Sequence, residues 1–126
     1  MTELPSLRET VDSHGLMAKK ALGQNFLLDQ NITDKIIRSS LAARGTEDFS
    51  QEDVFEIGPG PGGLTRAVLK ANPHSLTVVE MDERCIEIMR ELQTVYGEKL
   101  KIVNGDAMKF DFGQPSAQRK SVVSNL

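Results

Sequence analysis

The sequence lacks several features that would place it outside ordinary intracellular chemistry. Its one cysteine, Cys85, excludes an internal disulfide and indicates a reducing compartment. No apolar run approaches the ~18 residues that a membrane-spanning helix needs, so no membrane association is expected. The acidic, polar N-terminus is not typical of a signal or transit peptide. We therefore predict a cytoplasmic protein.

Basic charge and metal-ligating clusters are also scarce. The formal net charge is −3, from 15 Lys and Arg against 18 Asp and Glu, so any surface that binds nucleic acid has to be local. Neither His14 nor His74 has a second histidine or a cysteine placed to join it, and no metal site is predicted. With 126 residues, 39% apolar and 26% charged, the chain has the composition of one globular domain or part of one.

The most informative stretch is residues 54–65, Val-Phe-Glu-Ile-Gly-Pro-Gly-Pro-Gly-Gly-Leu-Thr. A short apolar run breaks into glycines and prolines and then resumes with a helical pattern, which is typical of a strand, a tight turn and a helix N-terminus. Glycines let the backbone turn sharply and approach a ligand, while the free N–H groups of the helix attract an anionic group. The stretch predicts a nucleotide-type ligand site. The spacing Gly58-x-Gly60-x-x-Gly63 alone is equally compatible with a plain connecting turn.

Two later carboxylates favour the ligand site over the plain turn. Glu80 closes the apolar run 76–79, at the position where a carboxylate would accept hydrogen bonds from ribose hydroxyls. Asp106 follows a third apolar run, residues 100–103. Because the carboxyl ends of parallel strands share one edge of a sheet, these side chains and Gly58 would line a common crevice.

Apolar periodicity and turn residues predict an α/β fold. We expect helices from Asp29 or Asn31 to about Ala43, from Leu64 to Ala71 and from Asp82 to Tyr96, and strands at Asp53–Ile57, Leu76–Glu80, Leu100–Val103 and Ser121–Ser124. Right-handed connections and a switch after the first strand predict a parallel sheet of order 3-2-1-4. Residues 1–12 are expected to be a frayed terminus, with a short helical turn as the alternative.

Two helices are predicted to bury apolar stripes. The first stripe consists of Ile32, Ile36, Ile37 and Leu41, and the second of Cys85, Ile86, Met89 and Leu92. The second stripe, including Cys85, is interpreted as plain core. The fourth strand would be an uncovered edge directly before Asn125-Leu126, so the chain is interpreted as truncated.

With these residues in place, the chain resembles the ribosomal RNA adenine dimethyltransferases of the KsgA (RsmA) type. The matching segments are Lys20–Leu27, Glu56–Thr65, Val79–Asp82 and Gly105–Ala107, and the ending Ser124–Leu126 resembles the start of the family's Asn-Leu-Pro-Tyr motif. The resemblance implies a partial Rossmann-like, S-adenosylmethionine-dependent methyltransferase domain over residues 19–126. Residues 1–18 would be an N-terminal extension, and the family's C-terminal helical domain would be absent.

The resemblance also implies a site for S-adenosyl-L-methionine. Asn25 and the backbones of Leu27 and Gly58 would hold the amino-acid end of the cofactor, with Gly60 in the same loop. Glu80 would hold its ribose. The adenine would be contacted by Asp106, Ala107 and Met81. A buried filler is the alternative role for Met81. Asn125 would border the cofactor and act as the catalytic residue, because its side-chain oxygen can accept the hydrogens of the target amine. Lys19 and Lys20 would contact RNA phosphates.

The implied activity is N6,N6-dimethylation of adenines in 16S ribosomal RNA during ribosome maturation, with the small ribosomal subunit as partner. This chain alone is expected to be inactive, since the Pro and Tyr of the catalytic motif are missing. Two alternatives stay open. An NAD-binding oxidoreductase half-domain would use the same glycines and Glu80, and a non-catalytic RNA-binding or assembly module would use Arg8, Lys19 and Lys20. Asn125 argues against the oxidoreductase alternative. The acidic net charge argues against the RNA-binding module.

Overall fold

A computed structural model of the chain describes residues 4–7, 9–10, 30–106, 109 and 119–124. Its elements are, in order, α1 Gln30–Arg44, β1 Glu52–Ile57, α2 Gly63–Lys70, β2 Ser75–Glu80, α3 Glu83–Tyr96, a 3₁₀ turn Gly97–Lys99, β3 Leu100–Asn104 and β4 Arg119–Ser124. Each predicted helix and strand is confirmed, with bounds that differ by no more than about two residues.

The four strands form one parallel sheet in the order β3-β2-β1-β4, which confirms the predicted topology. Ile57 at the end of β1 lies beside Val79 of β2 on one side and Ser124 of β4 on the other. Glu80, the last residue of β2, lies beside Asn104, the last residue of β3. The strands therefore end together, and the loops that follow them meet at a single edge of the sheet.

The core lies between the three helices and one face of the sheet. Strand β1 alternates buried and half-buried residues, so that Val54 points into the core while Phe55 points to the opposite face. Helix α1 packs against α2, and both contribute to the same apolar cluster as α3. The buried cluster includes Ile37, Leu41, Phe49, Val54, Leu64, Val68, Leu76, Val78, Ile88, Met89, Leu92 and Leu100. The sheet is thus fixed from one side by the apolar faces of all three helices.

The two predicted apolar stripes differ in outcome. All members of the α3 stripe are buried, and burial raises the pKa of the Cys85 thiol to about 12, which keeps it protonated at neutral pH. On α1, Ile37 and Leu41 are buried and Ile32 is half-buried, but Ile36 is 47% exposed, so the predicted stripe is only partly buried. The packing surface of α1 is centred on the side of Thr33, which is fully buried, and Ile36 lies outside it.

The described residues near the N-terminus, 4–7 and 9–10, are packed, so the prediction of a frayed terminus is wrong there. Leu7, Glu9 and Thr10 are helical, which agrees with the alternative of a short helical turn. Leu7 is 3% exposed and Thr10 is 1% exposed. Ser6 and Glu9 form a reciprocal capping box, with the Ser6 N–H donating to Glu9 Oε1 at 2.9 Å and the Glu9 N–H donating to Ser6 Oγ at 3.1 Å. This terminus is ordered by the burial of Leu7 against the rest of the fold. Such a tertiary contact cannot be recognised from a local sequence pattern.

The amino edge of the sheet is held by an ion pair between a buried glutamate and an exposed arginine. Arg44, at the end of α1, donates to the Glu52 carboxylate at the start of β1, and the Ser121 hydroxyl of β4 donates to the same oxygen. The Arg44 guanidinium also lies 5.7 Å from the centre of the Phe49 ring. The charged groups of Arg44 and Glu52 are therefore paired within the protein. Among the described residues, no helix is long and apolar enough to cross a membrane.

Candidate functional site

The loop between β1 and α2 leaves open space at the carboxyl edge of the sheet. Gly58 and Gly60 adopt positive φ angles of 62° and 56°, and a Cβ on either would meet no atom within 4 Å. The Gly58 N–H donates to the Val79 carbonyl at 2.9 Å, which fixes the loop to the end of β2. A ligand can approach this backbone closely because no side chain occupies the space.

Gly62 has a different role from the other two loop glycines. Its φ is 95°, and a Cβ there would lie 3.1 Å from the Met89 Cε atom of α3. Gly62 therefore allows the start of α2 to pack closely on α3. It also precedes the first turn of α2 without a side-chain cap among the described residues, so the N–H groups of that turn face the loop uncapped.

The Glu80 carboxylate connects two loops at this edge. Its Oε1 accepts a hydrogen bond from the Gly60 N–H at 3.2 Å, and its Oε2 accepts from the N–H groups of Met81 and Asp82 at 2.9 and 3.0 Å. An ionised carboxylate offers about four lone-pair sites, so acceptor capacity is left for a ligand hydroxyl. Three hydrogen bonds from the main chain thus fix the position of the carboxylate.

Met81 lies directly after Glu80 and is 66% exposed. The interpretation of Met81 as a buried filler is therefore wrong. A thioether side chain that is exposed beside a carboxylate can pack against the face of a planar ring. Its position is compatible with the adenine contact that the resemblance implies.

The turn after β3 is fixed to the same edge. The Gly105 N–H donates to the Glu80 carbonyl at 2.9 Å, and the Asn104 amide donates to Glu83 Oε1 at 3.0 Å, at the start of α3. Asp106 follows as a half-buried residue whose carbonyl accepts from the Lys109 N–H at 2.9 Å. The structure thus brings the Gly58–Gly62 loop, Glu80 and Asp106 to one edge, as the sequence predicted.

Several predicted site residues lie outside the described residues, and their roles stay predictions: Lys19, Lys20, Asn25, Leu27, Ala107 and Asn125. Among the residues that the structure does describe, no group of three or more His, Cys, Asp or Glu side chains could hold a metal ion.

Two contacts below the loop were not predicted from the sequence. The Gln30 amide donates to the Gly63 carbonyl at 3.1 Å, which joins the start of α1 to the start of α2. The Thr65 hydroxyl donates to the carboxylate of Glu56, which is fully buried in β1. The Glu56 contact could have been predicted from the alternation of β1, which turns Glu56 inward. A buried carboxylate needs a hydrogen-bond partner. The sequence carried no local signal for Gln30.

Solved structures with the same fold are methyltransferases. A dimethyladenosine transferase from Plasmodium falciparum is 26% identical with a TM-score of 0.59, over 78% of this chain and 32% of that chain. The 23S rRNA methyltransferase ErmE is 25% identical with a TM-score of 0.55, over 76% of this chain and 35% of that chain. A putative S-adenosyl-L-methionine-dependent methyltransferase from Methanococcus maripaludis has a TM-score of 0.59 at 18% identity, over 98% of this chain and 53% of that chain. This last similarity concerns the fold alone.

The chain has the Rossmann-like fold that these methyltransferases share. Residues 15–126 match the family model described as ribosomal RNA adenine dimethylase, and the chain belongs to that family. Curated relatives carry the name ribosomal RNA small subunit methyltransferase A. The protein from Jannaschia sp. is 44% identical over 98% of this chain and 40% of its own length, and that from Mesorhizobium japonicum is 50% identical over 98% and 44%. The chain spans about two fifths of the length of these relatives.

Proposed function

We propose that this chain forms the cofactor-binding part of an enzyme that dimethylates N6 of adenines in 16S ribosomal RNA, with S-adenosyl-L-methionine as methyl donor. The observation that carries the proposal is the Glu80 carboxylate, which connects the glycine loop to the turn after β2. It does so in a chain of the ribosomal RNA adenine dimethylase family. The partner of the whole protein would be the small ribosomal subunit.

The residues at the carboxyl edge fit an adenosine-containing cofactor. Glu80 has acceptor capacity for ribose hydroxyls, and the exposed Met81 side chain offers an apolar contact for the adenine ring. Asp106, fixed to the same edge through the preceding Gly105, would accept from the adenine amine. The open space over Gly58 and Gly60 would admit the methionine end.

The chemistry requires the protein mainly to position and stabilise the reacting groups. S-adenosyl-L-methionine supplies an activated methyl group on its sulfonium when it is bound. The target amine is a poor nucleophile because its lone pair is delocalised into the adenine ring. An acceptor that bonds the amine hydrogens as the nitrogen becomes tetrahedral stabilises the transition state more than the ground state.

We assign this acceptor to the side-chain oxygen of Asn125, on the basis of the family resemblance. Ser124, the residue before it, ends β4 beside Ile57 at the end of β1. Asn125 thus follows a strand that ends at the same edge as the cofactor loop. Lys19 and Lys20 would bind RNA phosphates, a contribution that weakens as salt concentration rises.

Isothermal titration of the chain with S-adenosylhomocysteine, S-adenosylmethionine and NADH tests the proposal. We expect saturable binding of the first two ligands and none of NADH. Binding of NADH alone would overturn the proposal and favour the oxidoreductase alternative. Affinity for RNA without affinity for either S-adenosyl ligand would instead favour the non-catalytic assembly module.

A further inference from the structure

We propose that Glu56 is a positioning residue for cofactor binding, because its buried carboxylate fixes the start of α2 and with it the glycine loop, defined here as residues 58–62. The inference rests on the proposed function, in which this loop admits the methionine end of S-adenosyl-L-methionine. Glu56 is fully buried and would not touch the cofactor itself. It would act through its hydrogen bond with Thr65 and through the loop that this bond spans.

The hydrogen bond joins the two elements that flank the glycine loop. Glu56 lies two residues before Gly58, near the end of β1, and its Oε1 accepts from the Thr65 hydroxyl in the first turn of α2. Both side chains are fully buried, and a hydrogen bond in such a low-dielectric environment is stronger than one in water. Fixing both ends of a glycine-rich loop reduces the number of conformations that the loop can adopt.

The loop fixed in this way forms part of the candidate site. The Gly60 N–H donates to Glu80 Oε1 at 3.2 Å, and a Cβ on Gly58 or Gly60 would meet no atom within 4 Å. At the other end of the loop, the Gly62 N–H donates to the Pro59 carbonyl at 3.0 Å. The position of the Gly60 N–H therefore depends on where α2 begins as well as on Glu80.

A carboxylate is an energetically costly group for this contact. Burying a charged carboxyl group costs free energy, and apolar side chains of similar volume often stabilise a core equally well. The other inward residues of α2 are of that kind, since Leu64, Ala67 and Val68 all belong to the apolar cluster. Stability alone therefore does not require a Glu56–Thr65 pair. What the pair adds is direction, because a hydrogen bond to a carboxylate orients the hydroxyl and the helix turn that carries it.

The first turn of α2 is also held from the side of α1. The Gln30 amide donates to the Gly63 carbonyl at 3.1 Å. Loss of the Thr65 hydroxyl should therefore shift this turn rather than unfold it, and the shift would pass to the glycine loop that directly precedes Gly63.

Thr65→Val removes the hydroxyl at nearly constant volume and tests the inference. We expect the affinity for S-adenosylhomocysteine to fall by about tenfold, which corresponds to the loss of one hydrogen bond to a charged group. Isothermal titration of the full chain measures this change. NMR spectra recorded without ligand should show altered amide shifts for Gly58 and Gly60. Thr65→Ser keeps the hydroxyl and should hold the affinity within about twofold of the wild type.

A stability control separates positioning from a general loss of structure. Leu100→Val removes buried apolar volume at the start of β3, which lies at the amino edge of the sheet. It should lower the midpoint of urea unfolding and leave the affinity for S-adenosylhomocysteine within about twofold of the wild type.

A milder variant serves where Thr65→Val does not fold. Glu56→Gln keeps an oxygen that can accept from the Thr65 hydroxyl but removes its charge, so that the hydrogen bond weakens. We expect the affinity for S-adenosylhomocysteine to fall by about threefold. An unchanged affinity in Glu56→Gln would count against the inference.

The remaining outcomes separate the inference from the proposed function. A Thr65→Val variant that is less stable but binds S-adenosylhomocysteine as tightly as the wild type would assign the pair an ordinary structural role and overturn the inference alone. Equal losses of affinity in Thr65→Val and Leu100→Val would overturn it too. If the wild-type chain does not bind S-adenosylhomocysteine, the proposed function fails and the inference fails with it.

Discussion

At the scale of single residues, Glu80 determines the geometry of the candidate site. Its two carboxylate oxygens accept N–H groups from the loop after β1 and from the turn after β2. Its main-chain carbonyl accepts the Gly105 N–H from the turn after β3. One residue therefore holds three loops in register.

Glu80→Gln should weaken the binding of S-adenosylhomocysteine by about tenfold or more, because the amide presents a donor to N–H groups that need an acceptor. Isothermal titration measures the change. Glu87→Gln, an equal charge change at an exposed position on α3, is the matched control. Similar affinities for the two variants would show that Glu80 makes no specific contact with the ligand.

Residues differ in how far the sequence predicted them. Glu80 and Asp106 were predictable because a carboxylate that ends an apolar run has its position fixed by the strand itself. Gln30 and Arg66 were not, since each is placed by a tertiary contact between segments far apart in sequence. Ile36 was placed in the apolar stripe of α1 but is exposed. The sequence does not distinguish an isoleucine inside the packing surface of a helix from one beside it.

At the scale of elements, helix ends carry much of the local order. Asp82 was predicted to start α3, and its side chain accepts the Arg84 N–H at 2.9 Å as an N-cap. Hydrogen bonds from the Arg84 side chain and backbone lower the pKa of Asp82 below its ordinary value of 3.8. A lowered pKa in the folded state means that ionised Asp82 stabilises the fold above that ordinary value, and that this stabilisation is lost as pH falls through the folded pKa.

Asp82→Ala should lower the free energy of unfolding by about 1 kcal/mol at pH 7, because the N-cap acceptor is lost. The difference from the wild type should shrink below about pH 4, where the aspartate becomes protonated. Urea unfolding at pH 7 and below about pH 4 measures this difference in the free energy of unfolding. Asp82→Asn keeps a capping oxygen and should lose much less. A loss for Asp82→Ala that is independent of pH would contradict the role of the charge.

Gly62 and Gly45 offer a comparison of packing at similar backbone strain. Both have positive φ angles, 95° and 74°, but only a Cβ at Gly62 would approach another side chain, that of Met89 at 3.1 Å. Gly62→Ala should therefore cost about 1–3 kcal/mol more than Gly45→Ala in the free energy of unfolding. Equal losses in urea unfolding would mean that α2 and α3 adjust freely at this contact.

Element types were predictable from the sequence because periodicity, caps and the Gly-Pro turn all indicated the same structures. The α3 helix shows this most clearly, with an N-cap at Asp82, a buried stripe and a glycine end at Gly97. The N-terminal segment was misjudged because its capping box is short and its stability comes from Leu7, which is buried by the rest of the fold.

At the scale of the whole molecule, the two edges of the sheet have different chemistry. The amino edge satisfies its charges internally, through Arg44, Glu52 and Ser121. The carboxyl edge keeps open space over its glycines and exposes Met81. Strand order was predictable from connection rules, and the parallel direction of the strands, together with the residues that follow them, predicted the candidate site at the second edge. The hydrogen bonds from Arg66 of α2 to Pro5 and Thr10 could be found only from the three-dimensional structure.

The central claim is that an S-adenosyl ligand binds at the carboxyl edge, and mapping of amide chemical shifts by NMR tests it most directly. On titration with S-adenosylhomocysteine, we predict the largest shifts at Gly58, Gly60, Met81 and Asp106. The amide of His74 at the amino edge should stay unchanged. Shifts centred on the amino edge, or no shifts in a folded chain at saturating ligand, would contradict the cofactor site.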